Sequence, residues 1–380
     1  MGLLNVCGTH AQLTALRSAR SSRCDLVSRD DQGLQQWGLE MLAKIQADFW
    51  LPTRGLYADE ITVGKPAPDH PAFMWGCGVE LPALTAGATV DRKTWETPLR
   101  RYIESLDRYW IEGKGVGGYD VLPNAASLDR YYDDNEWIVL ALCDAYDLLP
   151  EAQYRERAVK TFQFVLSGQD DALGGGIYWH EQDRSSKNTC SNGPAAAAAL
   201  RLYQITRDRK YLGIGLRLYE WTNAHLQDTD GLYFDNIKLD GKVEKTKWSY
   251  NTALMLRTAC LLYAITHDRK YLTEAQRVAQ AAVAHWFQPD TGAISDIGQF
   301  AHLLCEALLA LYDQDHDPQW LDAVRKALVC VHDKARDPNG YYAENWAATQ
   351  NLPLTKVKLL TQAAVARAFL VAARYPTVEH

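Results

Sequence analysis

The chain has 380 residues, of which 47% are hydrophobic and 23% charged, and its formal net charge is −7. That length holds two or three ordinary domains or one large repetitive one, within the usual globular composition. The acidic balance and the absence of a Lys/Arg cluster argue against a nucleic-acid partner, and no apolar run approaches the roughly 20 residues that span a bilayer. Aromatic usage is skewed, with 12 Trp and 20 Tyr against 8 Phe. Amphipathic rings in such supply suit a wet, polar-lined cleft. The eight cysteines, at 7, 24, 77, 143, 190, 260, 305 and 330, form no C-x-x-C pair, so neither a zinc site nor a disulfide scaffold is expected. No metal or cofactor is called for.

In chain order, Met1-Gly2-Leu3-Leu4 and the residues after it lack a charged stretch followed by an apolar core, so no signal peptide is expected. Segment 1–28, with Ser18-Ala19-Arg20-Ser21-Ser22-Arg23, reads as an N-terminal lead-in, and 29–380 as one folded domain. Helices with charge on one face are expected near 32–50, 93–112, 152–168, 209–226, 270–287 and 318–334. Between them lie alanine- and leucine-rich helices, apolar nearly all round, near 73–89, 134–148, 189–206, 249–266, 299–314 and 357–374. Strand signals are confined to short pieces such as Gly175-Gly176-Ile177-Tyr178-Trp179.

The units repeat. Tyr203-Gln204-Ile205-Thr206-Arg207-Asp208-Arg209-Lys210-Tyr211-Leu212 returns as Tyr263-Ala264-Ile265-Thr266-His267-Asp268-Arg269-Lys270-Tyr271-Leu272. A glycine followed by small or aromatic residues recurs at Gly55, Gly118, Gly176, Gly231, Gly292 and Gly340. Six inner and six outer helices in alternation make an all-α fold, an (α/α)6 barrel. Inner-to-outer turns are short and outer-to-inner loops long, so the long loops gather where the inner helices begin. Function concentrates on such loops.

At that rim stands Arg130-Tyr131-Tyr132-Asp133-Asp134-Asn135-Glu136-Trp137. Adjacent carboxylates repel, so one keeps its proton near neutrality while the other stays ionised. Glycosidic cleavage needs such a pair. Asp in a first helical turn also caps N–H groups and meets the positive dipole end, so Asp133 and Asp134 carry both readings. Gly174-Gly175-Gly176-Ile177-Tyr178-Trp179-His180 runs on towards Lys187-Asn188-Thr189-Cys190-Ser191-Asn192-Gly193. Here the glycines allow close approach to a ligand, Trp179 offers a stacking face, and Asn188 and Asn192 suit hydroxyl groups; a tight turn with an Asn-capped helix explains the same residues. Trp248-Ser249-Tyr250-Asn251 opens the next inner helix either as a glycan subsite or as a cap. His180 and His302 are the histidines placed nearest the cavity, and Asp230, Asp235 and Asp296 sit in rim loops.

Tyr132-Asp133-Asp134-Asn135-Glu136-Trp137, then Gly174 to Trp179, Lys187-Asn188, Ser191-Asn192-Gly193 and Tyr250-Asn251, in this order and spacing, resemble glycoside hydrolase family 76. The resemblance implies an (α/α)6 barrel and an endo-acting, retaining α-1,6-mannanase on mannan-type glycans, or a related transglycosylase. It implies Asp133 as nucleophile and Asp134 as acid/base, with Tyr132, Trp137, Trp179, Asn188, Asn192, Trp248, Tyr250 and Asn251 binding an oligo- or polysaccharide of α-1,6-mannose. Two motifs depart from the family pattern: Thr252-Ala253 follows Tyr250-Asn251 in place of Gln-Gly, and Phe300-Ala301-His302 stands in place of Phe-Lys-Gly. The alternatives are a sugar epimerase of the N-acylglucosamine 2-epimerase type, which needs a pair of cavity histidines, and a non-catalytic glycan-binding barrel. On location, free thiols point to a reducing compartment and the family's habit to export.

Overall fold

The computed structural model describes residues 33–375 apart from 113, 114 and 126. The expected lead-in 1–28, with Cys7 and Cys24, lies outside the described residues. Twelve α-helices occupy the described chain. The outer set is α1 (33–48), α3 (Arg92–Ser105), α5 (Ala152–Ser167), α7 (Arg209–Leu226), α9 (Arg269–Trp286) and α11 (Pro318–Cys330). The inner set is α2 (Met74–Val90), α4 (Tyr132–Leu148), α6 (Thr189–Thr206), α8 (Ser249–Thr266), α10 (Gly298–Asp315) and α12 (Leu359–Ala372). Each inner helix packs on the next, and α12 packs back on α2. The ring closes as an (α/α)6 barrel. The inner helices are buried nearly all round, as in the Ala195–Ala199 run, whereas an outer helix such as α9 buries one stripe, Tyr271, Leu272, Ala275, Val278, Ala279 and Ala282.

The sequence repeat is a device for stopping one helix and starting another. Arg207, His267 and His316 adopt the left-handed conformation, and their N–H groups donate to the Tyr203, Tyr263 and Tyr312 carbonyls. The next residue in each case, Asp208, Asp268 or Asp317, caps the following outer helix through its side chain. Only two residues are needed, so the turns at this end stay short.

Inner helices begin differently: none of the six has a side-chain cap from its own N-cap residue. Each instead takes its cap from the following unit. Met74 N–H donates to Val121 O, Tyr132 to Trp179 O, Thr189 to Asp235 O, Gly298 to Glu344 O, and Leu359 to Asp59 O; Ser249 N–H donates to the Asp296 carboxylate. These bonds run once round the barrel and close on the first loop. The capping explanation of the rim acids therefore holds for Asp296, on a helix other than its own, and for Asp133, whose carboxyl accepts from the free Asp134 N–H in the first turn of its own helix; among the described residues it does not hold for Asp134.

Strands are two or three residues long: β1 (Trp50–Leu51) with β2 (Leu56–Tyr57), β3 (Glu60–Thr62), β4 (Trp110–Ile111) with β5 (Gly118–Tyr119), β6 (Ser186–Asn188), β7 (Asn236–Lys238), β8 (Val243–Glu244) and β9 (Lys356–Lys358). β3 pairs antiparallel with β9 and joins the first and last loops, while β6, β7 and β8 form one small sheet. The strand expected at Gly175–Trp179 is absent; that piece makes only isolated bridges, Ile177 to Gln169 and Tyr178 to Lys187. Left-handed glycines at 174–176 break the extended run. Among the described residues, no helix is long and apolar enough to cross a membrane.

Candidate active site

At the long-loop end a cleft of about 530 Å³ opens over the starts of the inner helices. Its wall includes the second residue of four successive inner helices: Trp75 of α2, Asp133 of α4, Cys190 of α6 and Tyr250 of α8. Asp134, Trp137, Trp179, Asn188, Asp235 and Phe300 complete most of the lining.

The two aspartates differ in surroundings. Asp133 Oδ2 accepts from Trp179 Nε1 at 3.0 Å, and its Oδ1 accepts from the Asp134 N–H at 3.1 Å. Burial pushes Asp133 up to about 6, opposed chiefly by the Trp179 hydrogen bond. For Asp134, burial is followed by the charges of Asp133, Asp129 and Asp120, which together raise it well above the carboxylate range. Among the described residues, neither carboxyl is paired with Lys or Arg. Asp133 is therefore the one that ionises first, and Asp134 the one that keeps its proton.

Aromatic rings form the opposite wall. Phe300 stacks on Tyr250 at 4.3 Å, faces Trp75 at 5.8 Å and meets Trp248 at 5.4 Å. Trp179, 41% exposed, leans on Tyr131 at 4.9 Å. Exposed indole faces beside a carboxyl pair suit a sugar ring, which presents C–H to the ring and hydroxyl groups to its rim.

A buried cation clamps the turn that precedes Trp179. The Lys187 ammonium donates to Asp170 Oδ1 at 2.8 Å, Ala172 O at 2.8 Å and Gly175 O at 2.6 Å. Gly176, at φ +79°, lies against Trp221, where a Cβ would come within 2.7 Å of the indole. The glycines thus serve packing and a clamped turn and do not line the cleft, contrary to the close ligand approach expected of them.

Of the expected binding residues, Trp137, Trp179, Asn188 and Tyr250 line the cleft. Trp248 stands at its rim, 37% exposed and tilted onto Phe300. Asn251 is fully buried and donates to Asp235 at 3.4 Å, so it acts behind the wall. Two are placed elsewhere. Tyr132 is fully buried, stacked on Phe164 at 5.0 Å. Asn192 uses its amide on the backbone of Ile177, accepting at 2.7 Å and donating at 2.9 Å. Asn135 grips Tyr119 and Gln362 grips Tyr342 in the same two-way manner at the matching turn of α4 and α12, which marks Asn192 as part of the frame. Reading the motif without the repeat concealed this. Phe73, Trp75, Tyr131, Cys190 and Phe300 line the cleft without having been expected there; the second-residue rule for inner helices is the signal that would have found Trp75 and Cys190.

Neither histidine reaches the cleft. His180 is bonded to Asp129 at 2.9 Å and stacked on Tyr131. His302 is fully buried, its Nδ1 within 3.1 Å of Gly298 O, and burial lowers it to about 3. The histidine pair that an epimerase needs is not assembled at this site.

Residues 65–308 match the sequence profile of glycosyl hydrolase family 76, more than half of the chain. The chain belongs to that family. Among solved structures, the family 76 α-mannanase of Bacteroides thetaiotaomicron superposes with a TM-score of 0.84 at 33% identity, covering 90% of this chain and 96% of that one. An inactive variant of a Salegentibacter α-1,6-mannanase with two aspartates replaced, in complex with α-1,6-mannotriose, shares the fold with a TM-score of 0.76 at 23% identity, covering 90% and 98%. Among curated relatives, the mannan endo-1,6-α-mannosidase DFG5 of Candida albicans is 24% identical over 60% of this chain and 52% of its own length. DCW1 of Saccharomyces cerevisiae, also a mannan endo-1,6-α-mannosidase, is 29% identical over 35% of this chain and 32% of its own length. The chain thus spans about half the length, or less, of these curated relatives.

Proposed function

We propose that this family 76 hydrolase cleaves α-1,6-mannosidic bonds within mannan-type glycans, with retention of configuration. The observation that carries the reading is the unequal carboxyl pair, Asp133 held by two N–H donors and Asp134, among the described residues, by none, facing an aromatic wall. The named activities of the relatives support the substrate class.

In the first step an Asp133 oxygen attacks the anomeric carbon while Asp134 gives its proton to the glycosidic oxygen. The C1–O bond breaks, one glycan leaves as an alcohol, and the other remains as an ester on Asp133. Asp134, now an anion, takes a proton from water as that water attacks C1, and the ester bond to Asp133 breaks. Both carboxyls return to their starting state.

The pH dependence follows from the two environments. Asp133 must be ionised, so turnover rises as pH climbs through about 6. Asp134 must be protonated, so turnover falls once pH passes its raised value. The test is incubation with linear α-1,6-mannooligosaccharides, with product size read by mass spectrometry and anomeric configuration by NMR. Release of α-configured shorter oligosaccharides, lost in Asp133→Asn, is expected. β-configured initial products would sink the retaining assignment, and unchanged turnover in Asp133→Asn would sink Asp133 as nucleophile.

A further inference from the structure

Glu136 is the third carboxyl at the start of α4, and the reaction as written does not use it. It is fully buried, and among the described residues neither of its carboxyl oxygens makes a well-aligned hydrogen bond, the Ala195 N–H being the backbone donor that approaches it. A spacing of three residues puts it one turn below Asp133 on the same side of the helix. Across from it runs α6, close to the Ala195 peptide. One turn earlier on α6, Ser191 is also fully buried, with an unpartnered Oγ. Between them, Pro194 has no N–H to give, so the Cys190 carbonyl lacks its helical donor. Unpartnered buried polar groups on two packed helices are the setting in which proteins hold an ordered water.

The titratable groups facing Glu136 are Asp133 and Asp134 on its own helix and Cys190 on α6. Among the described residues, α2 and α5, which also pack on α4, bring it no charge. Burial, followed by the neighbouring Asp133, raises Glu136 well above the carboxylate range.

We propose that Glu136 is a positioning residue: an uncharged carboxylic acid that holds a buried water against Ser191 beneath the cleft floor and leaves Asp133 as the single negative charge among three carboxyls. This deepens, and rests on, the reading of Asp133 as nucleophile. An ionised Glu136 would place a second anion one turn from Asp133 and oppose its ionisation. An apolar side chain there would strip away the dipoles that help solvate the Asp133 anion.

Two variants and one spectrum test it. The infrared difference between the wild type and Glu136→Gln at pH 7 is expected to show the carbonyl stretch of a protonated carboxylic acid. Glu136→Gln, neutral and of the same shape, is expected to keep kcat and KM within about threefold and the acid limb of kcat/KM within about 0.3 pH unit. Glu136→Leu cannot hold the water; its acid limb is expected to rise by about half a unit or more, with KM unchanged. A carboxylate band in place of the acid band overturns the proposal. So does a downward shift of about one unit in Glu136→Gln, or a Glu136→Leu profile that matches wild type. If Glu136→Leu does not fold, the spectrum and Glu136→Gln still decide. Full turnover in Asp133→Asn would remove the catalytic reading alone and leave the infrared result standing.

Discussion

At the short-loop end of the barrel, carboxylates sit with arginines. Glu306 and Arg367 form a bidentate pair at 2.5 and 2.6 Å, with side chains 10% and 5% exposed. Arg201 reaches both Asp147 and Asp144, and Arg257 lies 3.9 Å from Asp144. Glu306, Arg367, Asp144, Asp147 and Arg257 line a depression of about 350 Å³. At the long-loop end, Asp133, Asp134 and Glu136 are buried or nearly so, and among the described residues no Lys or Arg is paired with them. One inner helix, α4, carries acids of both sets. Arginine partners let acids tie one helix to the next; unpaired buried acids resist ionisation, and that resistance is what makes an acid catalyst. For Glu306 the difference lies in its partner and not in depth of burial, whereas Asp144 and Asp147 are also the more exposed acids.

The sharpest way to break this contrast is to neutralise one acid at each end. Asp134→Asn is expected to lower turnover of an α-1,6-mannooligosaccharide by roughly 10²–10⁴-fold, while Asp144→Asn stays within about twofold; equal losses in steady-state assays would end the comparison. Next comes stability. Arg367→Met leaves Glu306 buried without its partner and is expected to cost about 3–5 kcal/mol in urea unfolding, with KM unchanged. Asp133→Asn should move the other way. Its folded-state value lies above its unfolded one, so the folded protein holds the proton more tightly, and the resulting stability is present below about pH 4 and lost as pH rises through about 6. At pH 7 the asparagine variant is therefore expected to be more stable, by at most about 2–3 kcal/mol, and a drop in its melting temperature would contradict this. The smallest effect is expected from Trp179→Phe, which keeps a ring and removes the N–H to Asp133. About a tenfold loss in kcat/KM is expected, with the acid limb shifted upward. An unmoved limb would show that this hydrogen bond does not set the acidity of Asp133.

Local chemistry made much of this protein legible in its sequence. Alanine-rich and one-sided helices alternate, and the Tyr-x-x-x-[Arg/His]-Asp spacing predicts short turns because a left-handed residue and an Asp cap act over only a few residues. Loop length alone then puts Asp133 and Asp134 at the functional end. What the sequence does not carry is which side chain from one unit meets which from another. Asn192 and Asn188 look equivalent in the motif, yet one grips Ile177 and the other lines the cleft. Phe300 becomes the centre of the aromatic wall only because the ring brings α10 beside α8 and across from α2. Asp296 caps α8 from the next loop. Such contacts depend on closing the ring, on which periodicity within a single segment has no bearing. The unequal acidities of Asp133 and Asp134 belong in part to the same class: both are raised first by burial in the closed ring, Trp179 reaches Asp133 from the next loop, and Asp129 and Asp120 act from the loop that leads into α4 itself.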